Sequence, residues 1–102
     1  MAVDEPKTLC RTPNADKPGT TRILTWKFDL LRGHILTVVG DAGPGGLLFK
    51  DLPSSVGALL TADEVARLGS IGWHITTVKL EMEVAKDIKR LKGASPQRLV
   101  LS

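Results

Sequence analysis

The chain has no tyrosine and only four aromatic residues among its 102. Its interior must therefore rest on Leu, Val and Ile, with Trp26, Phe28, Phe49 and Trp73 as the few large anchors. A single cysteine, Cys10, excludes an internal disulfide framework and any multi-cysteine zinc site, and points to a reducing compartment. No apolar run approaches the roughly 20 residues needed to span a bilayer. Residues 1–7 (Met-Ala-Val-Asp-Glu-Pro-Lys) lack the basic-then-apolar pattern of a secretory leader. The expectation is a soluble, cytoplasmic protein that does not engage a membrane.

Chemistry-bearing constellations are equally sparse. His34 and His74 stand apart, with no Cys or carboxylate spacing to complete a metal site. The only thiol falls in a terminal stretch expected to be flexible, with no base beside it. Asp41-Ala-Gly-Pro-Gly-Gly46 is glycine-rich, yet no Gly-Lys-Ser/Thr follows, so it reads as a connector and not a phosphate cradle. No pair of exposed aromatics suggests base stacking on RNA. The sequence thus leads away from an enzyme and implies no cofactor and no metal.

What is present suits one α+β domain, mainly helical. The length leaves no room for two domains, and 42% hydrophobic with 25% charged residues is ordinary for a globular chain. Residues 1–24, with Pro6, Pro13, Pro18 and Gly19, read as an extended N-terminal arm and not as an element, because proline removes backbone donors. Thr25 is placed to cap a helix from Trp26 to Gly40, with Phe28, Leu31, Ile35, Leu36 and Val39 on its apolar face. Leu47-Leu-Phe49 suits a brief strand. Asp51 can cap a helix carrying Pro53, with Val56, Leu59 and Leu60 inward. Thr61-Ala-Asp-Glu64 is a capping box opening a short helix that stops at Gly69. A final helix follows, with Ile71, Ile75, Val78, Met82 and Ala85 as its inner stripe. Asp87–Leu91 and Arg98–Leu101 read as antiparallel strands around a turn at 92–97.

Net charge is +3, and its distribution says more than its sum. Residues 73–102 carry six basic side chains against three acidic ones, whereas residues 26–72 carry four against five. The excess gathers on the last helix and the hairpin after it, as an electrostatic footprint for nucleic acid would. Exposure of a hairpin tip explains the same charges without any partner.

The order helix, strand, helix, short helix, helix, strand, strand resembles the winged helix-turn-helix of bacterial transcription regulators. The resemblance is clearest over Val78–Gly93, where Ile88-Lys-Arg-Leu-Lys-Gly93 matches the start of a wing. The chain departs from the pattern at Lys86-Asp87, where the family commonly has Gly and a left-handed cap forms more easily. From Thr-Pro-Asn through Thr-Trp-Lys-Phe to Gly-Ser-Ile-Gly-Trp-His, the chain is also similar to a family of short bacterial proteins of unknown function. The first resemblance implies residues 25–102 as a winged-helix domain that binds double-stranded DNA in transcription regulation. His74, Thr76, Thr77 and Lys79 would then face the major groove, with Lys89, Arg90, Lys92, Gln97 and Arg98 along the wing. Against this, residues 73–85 lack Arg, Asn and Gln, and Glu81 and Glu83 would flank the phosphates. Trp73, Leu80 and Val84 make a second apolar stripe on the same helix. That stripe implies a protein partner, on a scaffold of the same shape that does not bind DNA; a homodimer is expected under the DNA-binding reading too, through the first helix, the arm or this stripe.

Overall fold

Whether the prolines near the start prevent regular structure is answered by where they stand. The computed structural model describes residues 5–12, 19–93 and 95–102. Within these, β1 (Lys7–Arg11) and β2 (Thr20–Leu24) pair antiparallel, in the register Leu9↔Arg22 and Cys10↔Thr21. Pro6 sits just before β1, and a proline removes a ladder donor only at its own position. The expected arm without an element is thus corrected to a hairpin over these strands; Pro13 and Pro18 lie outside the described residues. The period of two points Cys10 and Ile23 inward, where both are buried, and Lys7, Leu9 and Arg11 outward. Cys10 is a core residue, not one on a flexible terminus.

The chain turns directly into α1 (Thr25–Asp41), whose buried residues Leu31, Ile35 and Val39 recur at steps of four and form its inner stripe. Leu24, not Thr25, is the capping position, and it makes no side-chain cap. Thr25 bonds elsewhere: its hydroxyl pairs with that of Thr8 at 2.9 Å, and its N–H donates to the Pro6 carbonyl at 2.9 Å. The hairpin thereby satisfies a helix-start donor that a cap would otherwise satisfy.

Next come β3 (Leu47–Leu48), α2 (Leu52–Gly57), α3 (Ala62–Leu68), α4 (Ile71–Val84), β4 (Ile88–Arg90) and β5 (Arg98–Leu101). Asp51 does not cap α2, because a 3₁₀ turn over Phe49–Asp51 already carries the chain into it. Leu52 and Val56 are buried, but α2 ends at Gly57, so Leu59 falls beyond it and is exposed. The capping box of α3 forms as read: Glu64 N donates to Thr61 Oγ1 at 3.1 Å, and Thr61 N donates to Glu64 Oε1 at 2.8 Å. On α4, Ile75, Val78 and Met82 are buried as expected, while Ala85 lies past the helix and is exposed.

The second sheet has the order β3-β5-β4, all antiparallel, with Leu47↔Leu99 and Ile88↔Leu101 among its pairs. Leu99 and Ile88 bury against the helices. Gly46 leads into β3 at φ +80, where a Cβ would stand 3.1 Å from the Leu99 carbonyl oxygen, so both backbone and space demand glycine there.

The left-handed cap of α4 forms without glycine. Lys86 adopts φ +65, Asp87 N donates to Met82 O at 2.8 Å, and Lys86 N approaches Glu83 O at 3.2 Å. That is a Schellman closure with a lysine in the position glycine normally fills. A non-glycine residue pays for this conformation, at about 1 kcal/mol. Lys86→Gly is therefore expected to raise the urea midpoint, a stabilisation of up to about 1 kcal/mol with an unchanged slope. A lower midpoint would mean that the lysine side chain contributes more than its backbone costs.

Candidate functional site

Helix α4 is covered on two sides. One side packs on α1 and α2 through Ile75, Val78 and Met82. The other lies under β1, where Thr77 and Glu81 are also buried. Glu81 accepts the Arg11 backbone N–H at 3.0 Å and its guanidinium at 2.8 and 2.7 Å. Arg11 is half exposed, whereas the Glu81 carboxylate is nearly enclosed. The hydrogen bonds from Arg11 hold the Glu81 carboxyl below the usual carboxylate range, with burial opposing them. Burial, reinforced by the nearby Glu81 carboxylate, pushes the Cys10 thiol up to about 11. Cys10 is consequently a protonated packing residue, poorly suited to act as a nucleophile.

Lys79 is the largest fully buried side chain, with 1% of its surface exposed. Its ammonium lies 2.8 Å from Gln97 Oε1, 3.0 Å from Glu83 Oε2 and 4.4 Å from the centroid of the Phe49 ring. The contact with Glu83 is an ion pair without the alignment of a hydrogen bond. Arg90 Nε binds the other oxygen of Glu83 at 2.6 Å. Desolvation draws the Lys79 pKa down, while the Glu83 carboxylate works against that. This one side chain joins α4 to the turn after β3 and to the base of β5.

The residues singled out in the sequence therefore separate. Thr77 and Lys79 are inside, the former donating to the Trp73 carbonyl at 2.8 Å, and Gln97 is held by Lys79. None of these three is free to reach a duplex in this conformation. His74 is half-buried, its Nδ1 2.7 Å from Ser70 O and its ring edge-on to Trp73; Thr76 is also half-buried. Lys89, Arg90 and Lys92 are exposed on and just after β4, and Arg98 is half-buried with Nη1 3.4 Å from Gly46 O. Trp73 is 49% exposed. With Leu80 it lines a groove of about 240 Å³ between α4 and the hairpin. Val84 is half-buried and takes no part in that lining.

Two further ties were not read from the sequence. Arg11 and Glu81 are 70 positions apart, and Arg32 reaches Asp87 at 3.0 Å across 55. Nothing local signals either pair. The Lys79–Glu83 pair does carry a signal, the four-residue spacing of neighbours on a helix. Among the described residues no group of three or more His, Cys, Asp or Glu could hold a metal, and no helix is long and apolar enough to cross a membrane.

The arrangement defines a helical α+β protein whose last helix and the hairpin after it are fastened together by buried charge. The chain belongs to a Family of unknown function (DUF6958), matched over residues 7–99, from the first residue of β1 into β5. No curated protein and no solved structure matches it.

Two outcomes test the charge clusters. Lys79→Ala leaves Glu83 with a buried, partly uncompensated carboxylate and should cost about 3 kcal/mol in chemical unfolding, whereas Lys79→Met, which keeps the volume, still strands Glu83 but should cost less. Equal stability of Lys79→Ala and the wild type would remove the cluster from the account. Glu81 has a folded pKa below its unfolded one, so its contribution is complete above about pH 4.3 and disappears as pH falls through the folded value. Glu81→Gln should therefore flatten the acid-side loss of stability, as measured by urea unfolding at stepped pH. Parallel pH profiles for the two proteins would contradict this.

Proposed function

We propose that the protein is a winged helix-turn-helix DNA-binding protein acting in transcription regulation, with α4 offered to the major groove and the β4–β5 turn as its wing. One observation carries the reading. Lys89 and Lys92 are exposed on the hairpin that directly follows α4, and among the described residues neither is in an ion pair. Support also comes from the order α1-β3-α2-α3-α4-β4-β5, and from β3 completing a three-stranded sheet with the two wing strands.

In this reading the contact set is narrower than the sequence suggested. His74 and Thr76, near the start of α4, are the candidates for base edges. Lys89 and Lys92 meet phosphates, which supply affinity without sequence choice. Arg90 contributes less, because its guanidinium is already tied to Glu83. Lys79 and Gln97 act from inside, by holding helix and wing together, while Thr77 is turned back onto its own helix at the Trp73 carbonyl.

Fluorescence anisotropy with mixed-sequence duplex DNA tests the proposal. Affinity should fall steeply between about 50 mM and about 200 mM salt. The double change Lys89→Ala, Lys92→Ala should weaken binding uniformly across sequences and reduce the salt slope by about 2. Absence of binding at about 50 mM salt would overturn the reading.

A further inference from the structure

We infer that the outer face of the β1–β2 hairpin is a second phosphate-binding surface, through which Lys7 and Arg22 hold the backbone of the duplex that α4 meets. The inference rests on the DNA-binding reading and extends its contacts to a part of the chain outside the winged-helix pattern. The alternation of β1 and β2 turns Lys7, Leu9 and Arg11 outward on one strand, and Thr20 and Arg22 on the other. In the register of the pair, Arg22 stands opposite Leu9 and diagonal to both Lys7 and Arg11. Such diagonal neighbours lie about 7–8 Å apart, so the three cations crowd one face.

That crowding has a cost. Like charges on one sheet face repel, and neither strand carries an acid to relieve them. Glu5 lies before the paired residues. Arg11 is matched by Glu81, whereas Lys7 and Arg22 are exposed and, among the described residues, in no ion pair. A string of phosphates removes the repulsion that the folded chain leaves in place. The exposed Thr20 adds a neutral hydroxyl donor of the kind that positions a protein on a DNA backbone.

The place of the hairpin selects a duplex as the partner. Successive residues of a helix turn through about 100°, so Glu81 and Glu83 point about 160° apart around α4. Arg11 of β1 holds the first and Arg90 of β4 the second. Hairpin and wing therefore stand on opposite sides of α4, with α1 and α2 closing a third side. The side left between them carries Trp73, Thr76 and Leu80, none of which is fully buried. Cations flanking one helix face from both sides match the two phosphate strands that border a DNA groove. Arg11 shows the reach available: it belongs to the outer set, yet its guanidinium rounds the strand to Glu81 on α4.

The test repeats the anisotropy titration with the full chain and the mixed-sequence duplex. Lys7→Ala with Arg22→Ala should weaken binding at least about tenfold at about 50 mM salt and reduce the salt slope by about 2. Lys7→Arg with Arg22→Lys, which keeps both charges, should bind as the wild type does. Gly33→Glu with Thr37→Glu, on the exposed side of α1, lowers the net charge of +3 by the same two units and should change affinity far less. An alanine pair that keeps wild-type affinity and slope overturns the inference and leaves the DNA-binding reading standing, because the Lys89 and Lys92 substitutions decide that. Equal weakening by the α1 variant or by the charge-keeping one overturns it too, since bulk charge or folding, and not the charge of the hairpin face, would then set the affinity. No binding by the wild type at about 50 mM salt overturns both.

Discussion

A lysine ammonium in the interior cannot be left alone, and the packing around α4 answers that requirement. Taking Lys79 out of water calls for a counter-charge, an acceptor and a polarisable face. Glu83 supplies the first from the next turn of the same helix, Gln97 the second from the approach to β5, and Phe49 the third from the turn after β3. Each partner lies on a different piece of chain, so satisfying one charge fixes how helix, turn and hairpin stand. Apolar contacts among Ile75, Met82, Ile88 and Leu99 hold the same pieces together without choosing a geometry. The ion cluster adds direction to that adhesion.

The elements visible in the sequence were those written in local pattern. The Thr61 capping box, the stripes of α1 and α4, and the paired strands at the C-terminus each depend on residues within a few positions of one another. Failures arose where partners are distant. Thr25 had the chemistry of a cap, but Thr8 and Pro6 already occupy its hydroxyl and its N–H. The β1–β2 hairpin was hidden because its inward face is only Thr8, Cys10, Thr21 and Ile23, too short and too mixed to show alternation beside three prolines. Lys86 shows the reverse case. Lysine disfavours a left-handed cap, yet closure by Met82 and Glu83 carbonyls imposes it.

The candidate site was less legible than the fold for the same reason. A lysine in the middle of a helix reads as solvated, because burial of its ammonium depends on Gln97 and Phe49, which are remote in sequence. The second apolar stripe of α4 reads in the sequence as a surface that needs cover, from deeper burial or from a partner. Part of that cover is the chain's own hairpin, which a reading of residues 1–24 as an arm could not supply. Two residues of the stripe, Trp73 and Leu80, remain at the groove the hairpin leaves open.

The acidic residues change meaning once their partners are known. In sequence, Glu81, Glu83 and Asp87 appear to repel phosphate from the segment richest in cations. In the fold each is engaged: Glu81 by Arg11, Glu83 by Lys79 and Arg90, and Asp87 by Arg32. Two of those cations come from the hairpin and from α1, outside the C-terminal segment altogether. The acids are thereby neutralised by structure, and Lys89 and Lys92 keep their charge toward solvent. Local potential follows from this pairing and not from the tally of +3. Rearranging the Arg11–Glu81 pair would therefore alter the seat of the hairpin on α4 and leave a buried carboxylate without its counter-charge.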